Sequence, residues 1–181
     1  MGVVSDWEVI CGWHWRKLAE ERPASIDAWS ARHLDTLTGL EAEAPAAATG
    51  NTLLHLDLRA DNLLLTPEDR VLVVDWPHAR VGASWIDAVF FAPSVAMQGG
   101  PWPEALVAKH PHVRHVDPEA ITAVVAAVAP GSSPGRVGPR PASPGLPTLR
   151  PFQASQGEVA RDWLAHRTGL RQGPFVPGGD E

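Results

Sequence analysis

With 181 residues, 44% of them apolar and 20% charged, the chain is long enough for one sizeable hydrophobic core and short for two. A formal charge of −6 argues against nucleic acid or an anionic membrane surface as the main partner. A single cysteine, Cys11, excludes an internal disulfide; no apolar run is long enough to cross a bilayer and no export signal is visible, so the expected compartment is the cytoplasm.

The first expected element is a short amphipathic helix over residues 7–22, where Trp7, Trp13, Trp15 and Leu18 mix with charged residues, stopped by Pro23. Ser25 is a plausible N-cap for the next helix. Ile26, Trp29, His33, Leu37 and Leu40 recur there at steps of three or four, a single helical face, with Asp27, Arg32, Asp35 and Glu41 on the remaining sides. This helix is expected to end near Glu43, before Pro45.

Short apolar runs follow at residues 52–54, 63–65 and 71–74. Thr66, Pro67, Glu68 and Asp69 form a turn signal between the last two, so residues 62–76 read as a β-hairpin. Helices are expected over residues 84–95 and 118–128, the latter with Asp117 as N-cap and Pro118 at the first helical position, and a helical turn near residues 103–110. Residues 130–147 hold 6 Pro, 4 Gly and 3 Ser and read as a linker, or as a frame-shifted patch interrupting helix. Phe152, Gln156, Val159, Trp163, His166 and Leu170 then mark a last helical face, with Gly169 at its C-cap and a tail after it. The domain reading is a body over residues 1–129, the linker over 130–147, and a helix with tail over 148–181 that belongs to the same body.

The chemistry concentrates in His55-Leu56-Asp57-Leu58-Arg59-Ala60-Asp61-Asn62 and in Asp75, 13 residues on at the end of an apolar strand. In an antiparallel hairpin the start of one strand lies beside the end of the other, so Asn62 and Asp75 are expected to be neighbours. An amide oxygen beside a carboxylate is a hard-ligand pair suited to Mg²⁺ carrying polyphosphate. Asp57, just upstream, is placed to orient a hydroxyl. Taken alone, Asp57 and Asn62 are also what a capped turn would carry; Asp75 on the second strand favours the chemical reading. His110, His112 and His115 lack a carboxylate or cysteine to complete a metal shell, and Pro111 disrupts their spacing, so a surface loop is expected there.

The pattern H-x-D-x-x-x-x-N, then a strand and an Asp, resembles the catalytic loop and metal-binding turn of the protein-kinase-like superfamily. The likeness is closest to its aminoglycoside phosphotransferase and choline kinase branch, in which the metal Asp is followed by Trp, as in Val74-Asp75-Trp76, and then by a Gly and a second Asp, matched by Gly82 and Asp87. It covers roughly residues 26–95. The resemblance implies an α+β fold: the helix-rich C-terminal lobe of a kinase-like protein, with a small hairpin bearing the catalytic and metal residues. It also implies Asp57 as catalytic base or hydroxyl-orienting group, Arg59 as a clamp on the transferred phosphate, His55 as a brace for the loop, and Asp87 as its tie to the next helix. Asn62 and Asp75 would hold Mg²⁺ with ATP or GTP.

The implied reaction is transfer of a γ-phosphate to a small hydroxylated substrate. An acidic lining from Asp87, Glu104 and Asp117 would favour a cationic one, such as an aminosugar or choline. A nucleotide lobe also needs a phosphate-covering loop and a strand lysine. The only lysines are Lys17 and Lys109, and residues before His55 read as helical, so the N-terminal lobe is expected to be absent or supplied by another chain. The expectation is a truncated phosphotransferase with impaired activity; the alternative is a non-catalytic binding module on the same fold. A hydrolase is disfavoured, because no Ser or Cys nucleophile accompanies Asp57 and His55.

Overall fold

Residues 14–23, 26–129 and 149–170 are described by a computed structural model, with side chains of 149–154 excepted. The elements are α1 (His14–Glu21), α2 (Ala28–Ala47), β1 (Thr52–Leu54), a 3₁₀ turn (Ala60–Asn62), β2 (Leu63–Leu65), β3 (Val71–Val73), β4 (Arg80–Gly82), α3 (Ile86–Met97), α4 (Pro103–Val107), α5 (Pro118–Val128) and α6 (Leu149–Thr168). Helices and small antiparallel sheets together make an α+β fold. None of the described helices is long and apolar enough to cross a membrane. Residues 7–13, the 130–147 tract and the tail after Leu170 lie outside the described residues.

The core forms where α2 crosses α5, with α1 on one flank and α6 packed on α3 and α5. Trp15, Leu37, Ile86, Val89, Val124, Val125, Trp163 and Leu164 are fully buried in it. Trp15 is pinned as well as buried, its indole Nε1 donating to the Ala126 carbonyl at 2.8 Å. Asp117 and Pro118 start α5 as expected, the Asp117 carboxylate accepting from the Glu119 amide at 2.9 Å.

Helix α2 departs from its sequence reading in three ways. Ser25 lies outside the described residues and the cap is Asp27, whose carboxylate accepts from the Ser30 amide at 3.0 Å and the Ser30 hydroxyl at 2.7 Å. The helix runs through Pro45 to Ala47 instead of stopping before it. In the last turn a proline forfeits one hydrogen bond, and the buried Ala44 and Ala48 keep that turn packed on the core. Glu41, assigned to a polar side, is 1% exposed. Its carboxylate accepts from the amides of Trp15 (3.2 Å) and Arg16 (3.0 Å), capping α1 from a neighbouring helix, and burial outweighs these bonds to hold its pKa above the ordinary value.

The strands form two separate two-stranded antiparallel ladders. β2 and β3 pair antiparallel as Leu63↔Val73, Leu64↔Leu72 and Leu65↔Val71, the expected hairpin. β1 pairs with β4 as Thr52↔Gly82, Leu53↔Val81 and Leu54↔Arg80, a ladder with no counterpart in the sequence reading. A side chain at Gly50 would collide with the backbone of Gly82 and Ala83, which approach closely as this ladder closes. The β2–β3 hairpin stands in solvent, leaving Leu64, Leu65, Val71 and Leu72 exposed.

A charged knot ties α6 to α4. Glu104 accepts from Trp163 Nε1 at 2.7 Å and from Arg167 Nη1 at 2.7 and 2.8 Å, while Arg167 also reaches Thr122 Oγ1 and the Pro118 carbonyl. Burial alone would raise the Glu104 pKa, but these hydrogen bonds and the Arg167 charge outweigh it and hold it below the usual 4.5. A carboxylate held low in the folded state stabilises above its unfolded pKa, and that contribution disappears as pH falls through the folded value. The melting midpoint of the wild type is therefore expected to fall more steeply below pH 4.5 than that of Glu104→Gln, measured as the difference between their pH profiles. Parallel profiles would show that the knot contributes no pH-dependent stability.

Candidate active site

The loop carrying the motif begins where β1 ends, and it is hung from α3. Both oxygens of Asp87, in the first turn of α3, accept backbone amides: His55 N at 2.8 Å and Leu56 N at 2.8 Å. The positive end of the helix dipole favours a carboxylate there. Leu56 has φ 65, a left-handed conformation that costs an L-residue about 1–2 kcal/mol. Two charge-assisted bonds to adjacent amides offset that cost.

His55, 1% exposed, braces the loop against the hairpin. Its Nδ1 accepts the Asp57 amide at 3.3 Å, and its Nε2 lies 2.9 Å from the Val74 carbonyl. The neutral ring protonated on Nε2 satisfies both contacts. Trp76 meets this ring edge-on, with centroids 4.7 Å apart.

Asp57, Arg59 and Asn62 converge on one spot. The 3₁₀ turn brings Asn62 back so that its Nδ2 donates to the Asp57 carbonyl at 2.8 Å and to Asp57 Oδ2 at 3.3 Å. With the amide nitrogen so committed, Oδ1 is the end that a cation would take. Arg59 Nη1 lies 3.4 Å from Asp57 Oδ1, and its Nε and Nη2 donate to Asp61 at 3.1 and 3.0 Å. The backbone carries the ladder one residue past Leu63↔Val73, where Val74 N donates to the Asn62 carbonyl at 3.0 Å. Asp75 follows at φ 64, a conformation Asp tolerates better than most residues, with its side chain in solvent.

Among the described residues no group of three or more His, Cys, Asp or Glu side chains is set to hold a metal ion by itself.

Asp61, the partner of Arg59, lies outside the motif; its signal in the sequence is a carboxylate two residues after an arginine in a tight loop. The three acids suggested as a substrate lining all have structural partners. Asp87 holds the loop, Glu104 holds Trp163 and Arg167, and Asp117 caps α5. His110 and His112 face each other at 5.8 Å in the turns after α4, where burial and the neighbouring ring hold the His110 pKa below its ordinary value.

Comparison with protein-family models matches residues 6–120, more than half of the chain, to the phosphotransferase enzyme family (APH). No curated protein and no solved structure matches.

Proposed function

Because the chain belongs to the phosphotransferase enzyme family, we propose that it directs the γ-phosphate of ATP or GTP to a hydroxyl of a small molecule, using the C-terminal lobe of a kinase-like fold. The observation that carries this reading is the convergence of Asp57, Arg59 and Asn62 in one loop, with Asp75 one residue beyond the ladder that fixes Asn62. In the proposed reaction the substrate hydroxyl oxygen bonds to the γ-phosphorus as the β–γ bridging bond breaks. The nucleoside diphosphate leaves with that bond's electron pair, and the hydroxyl proton passes to Asp57.

Asn62 Oδ1 and the Asp75 carboxylate would be the protein ligands of Mg²⁺, an oxygen pair of the hard kind that ion takes. When bound, the ion would neutralise phosphate charge. Arg59 adds a fixed positive charge beside the base. His55 and Asp87 touch no reactant; they hold the loop in its one conformation.

Neither lysine lies on a strand: Lys17 sits on α1 and Lys109 follows α4. Nothing in the described residues thus takes the part of the strand lysine that usually grips the α- and β-phosphates. Turnover by this chain alone is accordingly proposed to be weak, with a nucleotide lobe from elsewhere restoring it. The same observation favours a second reading, a module that binds nucleotide and transfers nothing.

Melting the chain with and without Mg²⁺·ATP or Mg²⁺·GTP tests the proposal. At ligand about 100-fold above Kd, binding stabilises by about 2.7 kcal/mol. For a chain of this size that raises the midpoint by about 5–10 °C. Asp75→Ala is expected to remove the rise; an equal rise in Asp75→Ala, or none in the wild type, overturns the reading. Label from the γ-phosphate appearing on an aminosugar or choline then separates the transferase from the binding module.

A further inference from the structure

We propose that the β2–β3 hairpin is an interface whose occupant is a second copy of this chain, docked hairpin on hairpin about a two-fold axis. The contact is independent of the phosphoryl-transfer reading above.

An antiparallel pair with one wet face alternates apolar and polar side chains, whereas an unbroken apolar run suits strands covered on both faces. Leu63-Leu64-Leu65 and Val71-Leu72-Val73 contain no polar residue. Their register sets Leu65 opposite Val71 on one face and Leu64 opposite Leu72 on the other. Both pairs meet solvent: Leu65 and Val71 are 71% and 61% exposed, Leu64 and Leu72 52% and 41%. A charge or a proline usually blunts such a strand, but here Pro67, Glu68, Asp69 and Arg70 all fall between the strands and none within them. A two-stranded hairpin is marginal by itself in water, so cover stabilises it.

Two features select a second copy as that cover. Each strand reads the same in both directions, so a surface built from them is matched by its own image turned through a two-fold, as a symmetric dimer requires. The area is also sufficient. With Val73, these side chains offer about 450 Å² of apolar surface per copy, and two copies with their polar rims bury about 1,000 Å², where specific interfaces begin. Each copy carries a formal charge of −6, a repulsion that salt screens. The dimer is therefore expected to tighten between about 0.05 and 0.5 M salt, the opposite of a contact held by ion pairs.

Sedimentation equilibrium on the full chain tests the interface. A monomer–dimer equilibrium is expected, with Kd of about 1–100 μM for a contact of this small area. Leu65→Glu should raise Kd at least about tenfold. Leu65→Glu and Leu65→Lys chains, each monomeric alone, should pair when mixed, because the two-fold sets the Leu65–Val71 face of one copy on that of the other. Trp102→Gln removes another exposed apolar side chain, at the start of α4, and should leave Kd unchanged. Mixed chains that stay monomeric, an equal loss in Trp102→Gln, or association that grows beyond two copies overturns the two-fold contact. A monomeric wild type overturns it as well. A melting midpoint lowered by Leu65→Glu would then assign the cover to the same chain, and an unchanged midpoint would leave the face to a different protein.

Discussion

Asp87→Ala is expected to destabilise the chain by about 3–4 kcal/mol, because two backbone amides lose an ionised acceptor at once. At about 2–4 °C per kcal/mol for a domain of this length, the midpoint should fall by about 6–16 °C in a calorimetric or circular-dichroism melt. The amides of His55 and Leu56 have no other hydrogen-bond acceptor in the loop geometry described, and Leu56 stays at φ 65 only while both are held. Without the carboxylate, Leu56 relaxes toward negative φ and turns the His55 ring away from the Val74 carbonyl. The Asp57 amide is then released from His55 Nδ1. Asp87→Asn should behave similarly, since an amide group offers one oxygen where two are used. A loss below about 1 kcal/mol, the worth of an exposed ion pair, would show that the loop is not hung from α3.

The second large effect is expected at Trp163, on the face of α6 that meets α3 and α5. Trp163→Ala should cost about 3–5 kcal/mol, as truncations of buried aromatic side chains do. Its side chain is fully buried, its Nε1 donates to Glu104 at 2.7 Å, and Arg167 lies over the ring at 5.9 Å. Trp163→Phe keeps most of the volume and loses the hydrogen bond, so it should cost about 1.5–3 kcal/mol, the value of a bond to a charged acceptor. The gap between the two variants measures packing separately from the polar knot. Wild-type stability in Trp163→Ala would mean that α6 does not share the core of the residues before it.

The parts of the fold legible in the sequence were those with local causes. The turn at Thr66–Asp69 announces the β2–β3 hairpin, and Asp117 with Pro118 announces α5. The β1–β4 ladder had no such signal, because Arg80-Val81-Gly82 has no alternation to read and pairs across more than 25 residues. Helix α2 shows the same limit. Apolar residues at steps of three or four locate the helix, but not that Glu41 is drawn inside to cap α1, since the demand for that carboxylate comes from another helix. In the site, spacing marks Asp57, Asn62 and Asp75, and the resemblance to the kinase-like motif adds His55, Arg59 and Asp87. What the spacing could not reveal was the fork on Arg59, where the acid at 61 sits two residues away and interacts only because the chain folds back through a 3₁₀ turn.

Trp76 lies one residue from Asp75, half in water, with its ring against His55. Trp15, Trp29, Trp85 and Trp163 are all more than nine-tenths buried, so they emit from dry surroundings; Trp102 is the other described indole open to solvent. The site thus carries its own fluorophore on the red edge of the emission band. Whatever covers Asp75 also changes the wetting of that indole and its access to a collisional quencher such as acrylamide. With Trp102→Phe to silence the other open indole among the described residues, and Trp7→Phe with Trp13→Phe to remove the two indoles outside them, occupancy becomes visible in an unlabelled sample.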